Sequence, residues 1–275
     1  MKGNYFMKPD VLVFQPQIAR QKPETIIHQD HRCPFCDVAN LEKVIRQEDD
    51  RIWLVNKYRT LAKTWQTVII ESAIHDGDIS TYKREQNRAI LKFALAAWQQ
   101  TQTSGKYRST ALYKNYGPLS GGSLSHPHLQ IVGFEEVDIY AQIKPENLQG
   151  ITVVANQAVS LNISTLPIMG FVEFNLCLHD SAQLDEFADC LQVVVQYLLR
   201  DYFNGRCNSY NLFFYPGPQQ QIIAKIVPRF VVSPYFVGYK VSQVNDMQRL
   251  IEIRQELATK IQQELPQAKL EKQRN

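Results

Sequence analysis

Twice along the chain the same order of elements is written: strand, long amphipathic helix, then two further strands. In the first pass, residues 52–55 and 67–71 are rich in β-branched and aromatic side chains, which predicts strands. Residues 79–102 carry Ile90, Leu91, Ala94, Leu95 and Trp98 at helical spacing. Strands are then expected over 110–116 and 128–134, joined by a loop containing Gly117, Gly121 and Gly122. The second pass reads as a strand over 171–178, a helix over 184–202, and strands over 210–215 and 221–227. These last two flank the turn Pro216-Gly217-Pro218. Even the strand-to-helix junctions are alike, His75-Asp76 in one and His179-Asp180 in the other. The order predicts an α+β chain of two like units, 1–150 and 151–275, each an antiparallel sheet with helices packed on it. A strand over 11–14 and a basic, proline-bounded arm precede the first unit, and an amphipathic helix over 245–267 follows the second.

Composition narrows the class of function. The chain has 275 residues, 44% hydrophobic and 21% charged, with a net charge of +3. That suffices for a large core and offers no basic block of the kind a nucleic-acid groove needs. The first residues lack the apolar run of a secretion signal, and no apolar stretch reaches the ~20 residues of a membrane helix. Five cysteines, two of them in a C-x-x-C pair, suit a reducing compartment, so a cytoplasmic enzyme is expected.

The run His126-Pro127-His128-Leu129-Gln130 is the strongest chemical signal. On an extended strand His126, His128 and Gln130 project from one side. A neutral imidazole attacks phosphorus without first losing a proton, and the phosphoramidate it forms is reactive enough to pass its group onward. An amide two residues on can hydrogen-bond phosphoryl oxygens as charge develops. The glycines, Ser120 and Ser123 ahead of the run can bring backbone N–H groups and hydroxyls to a phosphate. The competing reading is a pair of histidines at a strand edge with no chemical role.

Cys33-Pro34-Phe35-Cys36 also has two readings. It resembles the redox pair of a glutaredoxin, with an activated first thiolate. It equally resembles a knuckle supplying half of a zinc site.

The stretch NYGPLSGGSLSHPHLQI, Asn115 to Ile131, resembles the active-site signature of the galactose-1-phosphate uridylyltransferase branch of the histidine-triad superfamily. Diadenosine-polyphosphate and ADP-sugar phosphorylases belong to the same wider group. The resemblance implies two HIT-like repeats, a nucleotidyl-histidine intermediate on His128, and phosphoryl contacts from Gln130, Asn115 and Ser123. It implies a structural zinc held by Cys33, Cys36, the His75 that follows Val68-Ile69-Ile70-Glu71-Ser72, and His126. Asn56 falls beside the base and ribose, and Arg20 where basic residues bind phosphate. In the second unit, 221–228 offers Ile223 and Lys225 where some members carry metal-binding histidines, so no second metal is expected. Tyr239 matches the V-G-Y element of the sugar pocket, while Lys240 replaces its acidic residue and would suit an additional phosphate. His28 and His31 are expected at the surface. The implied substrates are a nucleotide sugar or dinucleotide and a phosphate-bearing acceptor, in a possible homodimer. Phosphorolysis, hydrolysis and nucleotide binding without turnover are the alternatives.

Overall fold

The structure, a computed structural model, describes residues 11–23 and 33–266. A short α1 (Pro16–Ala19) precedes β1 (Val44–Glu48), β2 (Arg51–Val55) and β3 (Thr64–Ile70). Then come α2 (Arg84–Thr103), β4 (Ser109–Tyr116), β5 (His128–Phe134), β6 (Gly150–Ala155) and β7 (Val159–Ser164). After β8 (Gly170–Phe171) and β9 (Phe174–Leu178) follow α3 (Leu184–Arg200), β10 (Tyr210–Pro216) and β11 (Ile222–Pro228). The chain closes with α4 (Pro234–Tyr239), β12 (Gln243–Val244) and α5 (Met247–Glu264).

Ten strands form one antiparallel sheet in the order β1-β2-β3-β5-β4-β10-β11-β9-β7-β6. Read inward from either edge, this order is the same motif. The first five strands and the last five are related by a local two-fold at the β4/β10 seam. There Tyr113 lies opposite Phe213. Antiparallel pairing across the seam makes the two repeats one continuous sheet.

One face of the sheet is covered by α2, α3 and α5. Ile90, Leu91, Ala94 and Trp98 of α2 share a core with Phe187, Leu191 and Val194 of α3 and Leu250, Ile253 and Leu257 of α5. Each of the larger aliphatic and phenyl side chains among these gains roughly 1.5–3 kcal/mol by leaving water. Polar groups fix the helix pair: Arg88 on α2 makes two hydrogen bonds to Asp189 on α3, at 2.8 and 2.6 Å. The opposite face carries a smaller core of Ile52, Leu54, Val68 and Ile70, capped by Phe35 and Leu41 from the cysteine loop. That second face holds the candidate site.

Departures from the sequence expectations have local causes. The helix expected from 79 begins at Arg84, because Asp78 first closes a turn with Ser80 and Thr81. The strand expected over 171–178 is broken by Phe171, whose φ of +61° lies in the left-handed region. Residues 11–14 contribute only a bridge from Phe14 to Leu61. His28 and His31 lie outside the described residues. No described helix is long and apolar enough to cross a membrane.

Candidate functional site

Strand β5 has two faces with different work. Leu129 and Ile131 point into the helix-side core, so His128 and Gln130 are turned to the other face. There they line a cavity of about 480 Å³ with Tyr113 and Asn115 of β4, Asn56, and Ser123 of the glycine loop.

The tautomer of His128 follows from its partner. Its Nδ1 lies 2.8 Å from the His126 carbonyl oxygen, which can only accept, so Nδ1 carries the proton. Nε2 is left with its lone pair. Burial pushes the imidazole pKa down to about 4, with Lys114, His126 and Lys22 adding smaller electrostatic contributions in the same direction. The ring is therefore neutral at physiological pH. Phe35, between the two cysteines, packs edge-on against it at 5.4 Å.

Two amides flank the histidine, and each is held by its oxygen. Tyr113 donates its hydroxyl to Gln130 Oε1 at 3.0 Å, and burial pushes the phenol pKa up to about 12, so it stays a donor. Asn211 of β10 donates Nδ2 to Asn115 Oδ1 at 2.7 Å. Both site amides are thus left with their NH2 groups for the cavity.

Cys33, Cys36, His75 and His126 meet beside the start of β5, their donor atoms all within 4.8 Å of one another. Cys36 Sγ is 3.3 Å from His75 Nδ1 and 3.5 Å from His126 Nδ1. A tetrahedral zinc with bonds of about 2.3 Å to sulfur and 2.0 Å to nitrogen separates such donors by about 3.5 Å. His126 Nε2 meets the Ser72 carbonyl at 2.9 Å, which places its proton there and leaves Nδ1 to ligate. Burial raises the Cys36 pKa and lowers that of His126. The donor set and its spacing fit a metal better than a thiol redox pair, which gives neither histidine a role.

The glycine loop is shaped by the second repeat. Gly117 has a φ of +82°, and a Cβ there would fall 2.2 Å from the Asn208 carbonyl oxygen. Leu119 donates its N–H to Ser209 Oγ at 3.0 Å.

Of the nominated residues, His128, Gln130, Asn115, Ser123 and Asn56 line one cavity, and the four metal candidates form one cluster. Arg20, Tyr239 and Lys240 are not brought to the cavity. Arg20 is exposed just after α1, and the neighbouring Lys22 lines the cavity instead. Tyr239 is 78% exposed at the end of α4, and Lys240 terminates that helix in the left-handed conformation. Sequence reasoning missed Phe35, Tyr113 and Lys22. Tyr113 could have been found, since it shares a strand face with Asn115.

The sequence matches DUF4931, a domain of unknown function, with its N-terminal domain over 14–137 and its C-terminal domain over 140–261. A crystal structure of a DUF4931 family protein from Bacillus cereus is 42% identical, with a TM-score of 0.72 over 80% of this chain and 99% of that one. An ADP-glucose phosphorylase from Arabidopsis thaliana, solved with bound ADP-glucose, is 15% identical with a TM-score of 0.65, covering 91% of this chain and 97% of that one. A uridylyltransferase is 16% identical with a TM-score of 0.62, over 87% and 93% of the respective chains. No curated protein matches the chain. The chain therefore belongs to the DUF4931 family, and it shares its fold with the uridylyltransferase and the ADP-glucose phosphorylase.

Proposed function

We propose that this protein transfers a nucleotidyl group through a covalent intermediate on His128. The observation that carries the reading is the ring's tautomer. Nδ1–H is bound to a backbone carbonyl, and a neutral Nε2 remains beside a cavity flanked by two oriented amides. The Nε2 lone pair forms the P–N bond as the bond from phosphorus to the leaving phosphate oxygen breaks, and the electron pair leaves on that oxygen. An acceptor phosphate oxygen then attacks the same phosphorus, and the P–N bond electrons return to the imidazole. Gln130, Asn115 and Ser123 hold the phosphoryl oxygens during both steps.

Lys22, Lys43, Lys57 and Arg59 line the cavity against the acids Asp37 and Glu42. That surplus of cations suits a nucleotide sugar or a dinucleotide as donor and a phosphate-bearing acceptor. The ADP-glucose phosphorylase that shares this fold was solved with a donor of this type, ADP-glucose, bound.

Zinc is the metal we assign to Cys33, Cys36, His75 and His126. With four protein ligands the site is closed, so its part is structural: it ties the cysteine loop, and with it Phe35, to the start of β5. A reducing, cytoplasmic setting and a homodimer complete the reading.

The test is intact-mass measurement after incubation with a panel of nucleotide sugars and dinucleotides. A gain of one nucleotidyl mass, absent in His128→Gly, is the expected result. No adduct with any member of the panel overturns the proposal.

A further inference from the structure

Asn115 does not hold its own orientation. Its side-chain oxygen is bound by Asn211, which lies directly opposite across the seam between the two repeats. The identity of each atom in this contact follows from its neighbours. Arg229 donates Nη1 to Asn211 at 2.6 Å, and a guanidinium only donates, so the atom it meets is Oδ1. The other end of Asn211 lies 3.0 Å from the Ser120 carbonyl oxygen, which only accepts, so that end is the NH2. That NH2 must then meet the oxygen of Asn115. The Asn115 NH2 is what remains for the cavity.

We propose that Asn211, fixed by Arg229, is a positioning residue of the site: it presents the Asn115 NH2 to the phosphoryl group and pins the glycine loop at Ser120. Neither residue lines the cavity, and both belong to the second repeat. Asn211 is 2% exposed, so the two hydrogen bonds it donates and the one it accepts meet little competition from water. The same repeat already shapes this loop at Gly117 and Leu119. The second repeat thus acts as the rigid backing for a first-repeat phosphate site.

The inference rests on the nucleotidyl-transfer reading for its kinetic test. Asn211→Asp keeps an acceptor for Arg229 but turns a second oxygen toward Asn115. The Asn115 amide then rotates and sets its own oxygen against the phosphoryl oxygens. The rate of His128 labelling by ADP-glucose, UDP-glucose or a dinucleotide is expected to fall about tenfold or more. Asn115→Ala should fall comparably, and the double variant should fall no further than the larger single loss. Labelling of Asn211→Asp at the wild-type rate, or losses that multiply, overturns the proposal.

Should Asn211→Asp not fold, Arg229→Met carries the test. It removes the donor that fixes the Asn211 amide, and a smaller loss in the same direction is expected, with wild-type labelling overturning the proposal. A second measurement needs no substrate. In the unliganded protein, the Asn115 side-chain NH2 resonances, assigned by their loss in Asn115→Ala, should move in Asn211→Asp and in Arg229→Met. Unmoved resonances overturn the relay. If no probe labels the wild type but these resonances move, the transfer reading falls and the relay stands.

Discussion

The two repeats share one scaffold and put opposite contents on the same face. Across the seam Tyr113 pairs with Phe213; on the far side of each, Tyr113 is opposite Gln130 and Phe213 is opposite Lys225. Lys225 therefore stands where Gln130 stands, and Ile223 where His128 stands. In the first repeat this face is an open cavity. In the second it is filled: Lys225 Nζ donates to Glu173 at 2.7 Å and to the Asn147 carbonyl at 2.8 Å, and Glu173 also accepts the N–H groups of Ile168 and Met169. Lys225 and Glu173 are both fully buried, and burial pulls the lysine's pKa down. Such a pair gains little net stability over an apolar filling, because both charges must be desolvated. One set of strand pairings thus supports either an open cavity or a plug. A few inward-facing side chains decide which.

Several variants break or sharpen this contrast. The largest effect is expected for His128→Gly, which removes the proposed reacting atom itself. The nucleotidyl adduct should vanish in intact-mass spectra while the melting temperature stays close to wild type. Next comes Lys225→Met, which leaves Glu173 buried without its cation. Loss of one partner of a buried pair costs about 3–5 kcal/mol, read by denaturant unfolding. Adding Glu173→Gln should recover part of it, and no destabilisation in Lys225→Met would sink the plug. Cys33→Ser, or extraction with a strong chelator, should remove about one zinc per chain by metal analysis and lower the melting temperature. An unchanged melting temperature with the metal gone would deny it a structural part. The smallest effect is expected for Tyr113→Phe, which makes the first repeat resemble Phe213 of the second. Freeing the Gln130 oxygen should slow labelling by about tenfold or less, in keeping with the loss of one hydrogen bond. A wild-type rate would show that Gln130 needs no anchor.

The sequence was most readable where spacing alone sets geometry. The doubled strand and helix order is legible because β-branched runs and the Ile90 to Trp98 stripe have different periods. The face shared by His128 and Gln130 follows from the strand period of two. The edges were read less fully: β1 is short and largely exposed, whereas β7 carries the plain alternation of Val159, Leu161 and Ile163 with Ser160, Asn162 and Ser164 that marks a half-buried strand. The four metal candidates stand up to 93 residues apart in number, and only the signature's resemblance joined them before the fold did. Nothing local in the sequence marks Asn211 or Arg229. Their significance comes from strand register across a seam nearly a hundred positions wide, which no window along the chain contains.

The seam also sets the smallest working piece of this protein. A fragment cut between the two family domains, near residue 138, would retain the proposed nucleophile, both site amides and every nominated metal ligand. It would still expose residues 112–116 of β4 as an unpaired edge, with Tyr116 stripped of its stacking partner Tyr210. Such half-chains are expected to seek another strand, by aggregating or by recombining with the complementary fragment. Recovery of activity on mixing the two fragments, and none from either alone, would mark the ten-stranded sheet as the indivisible unit on which selection acts.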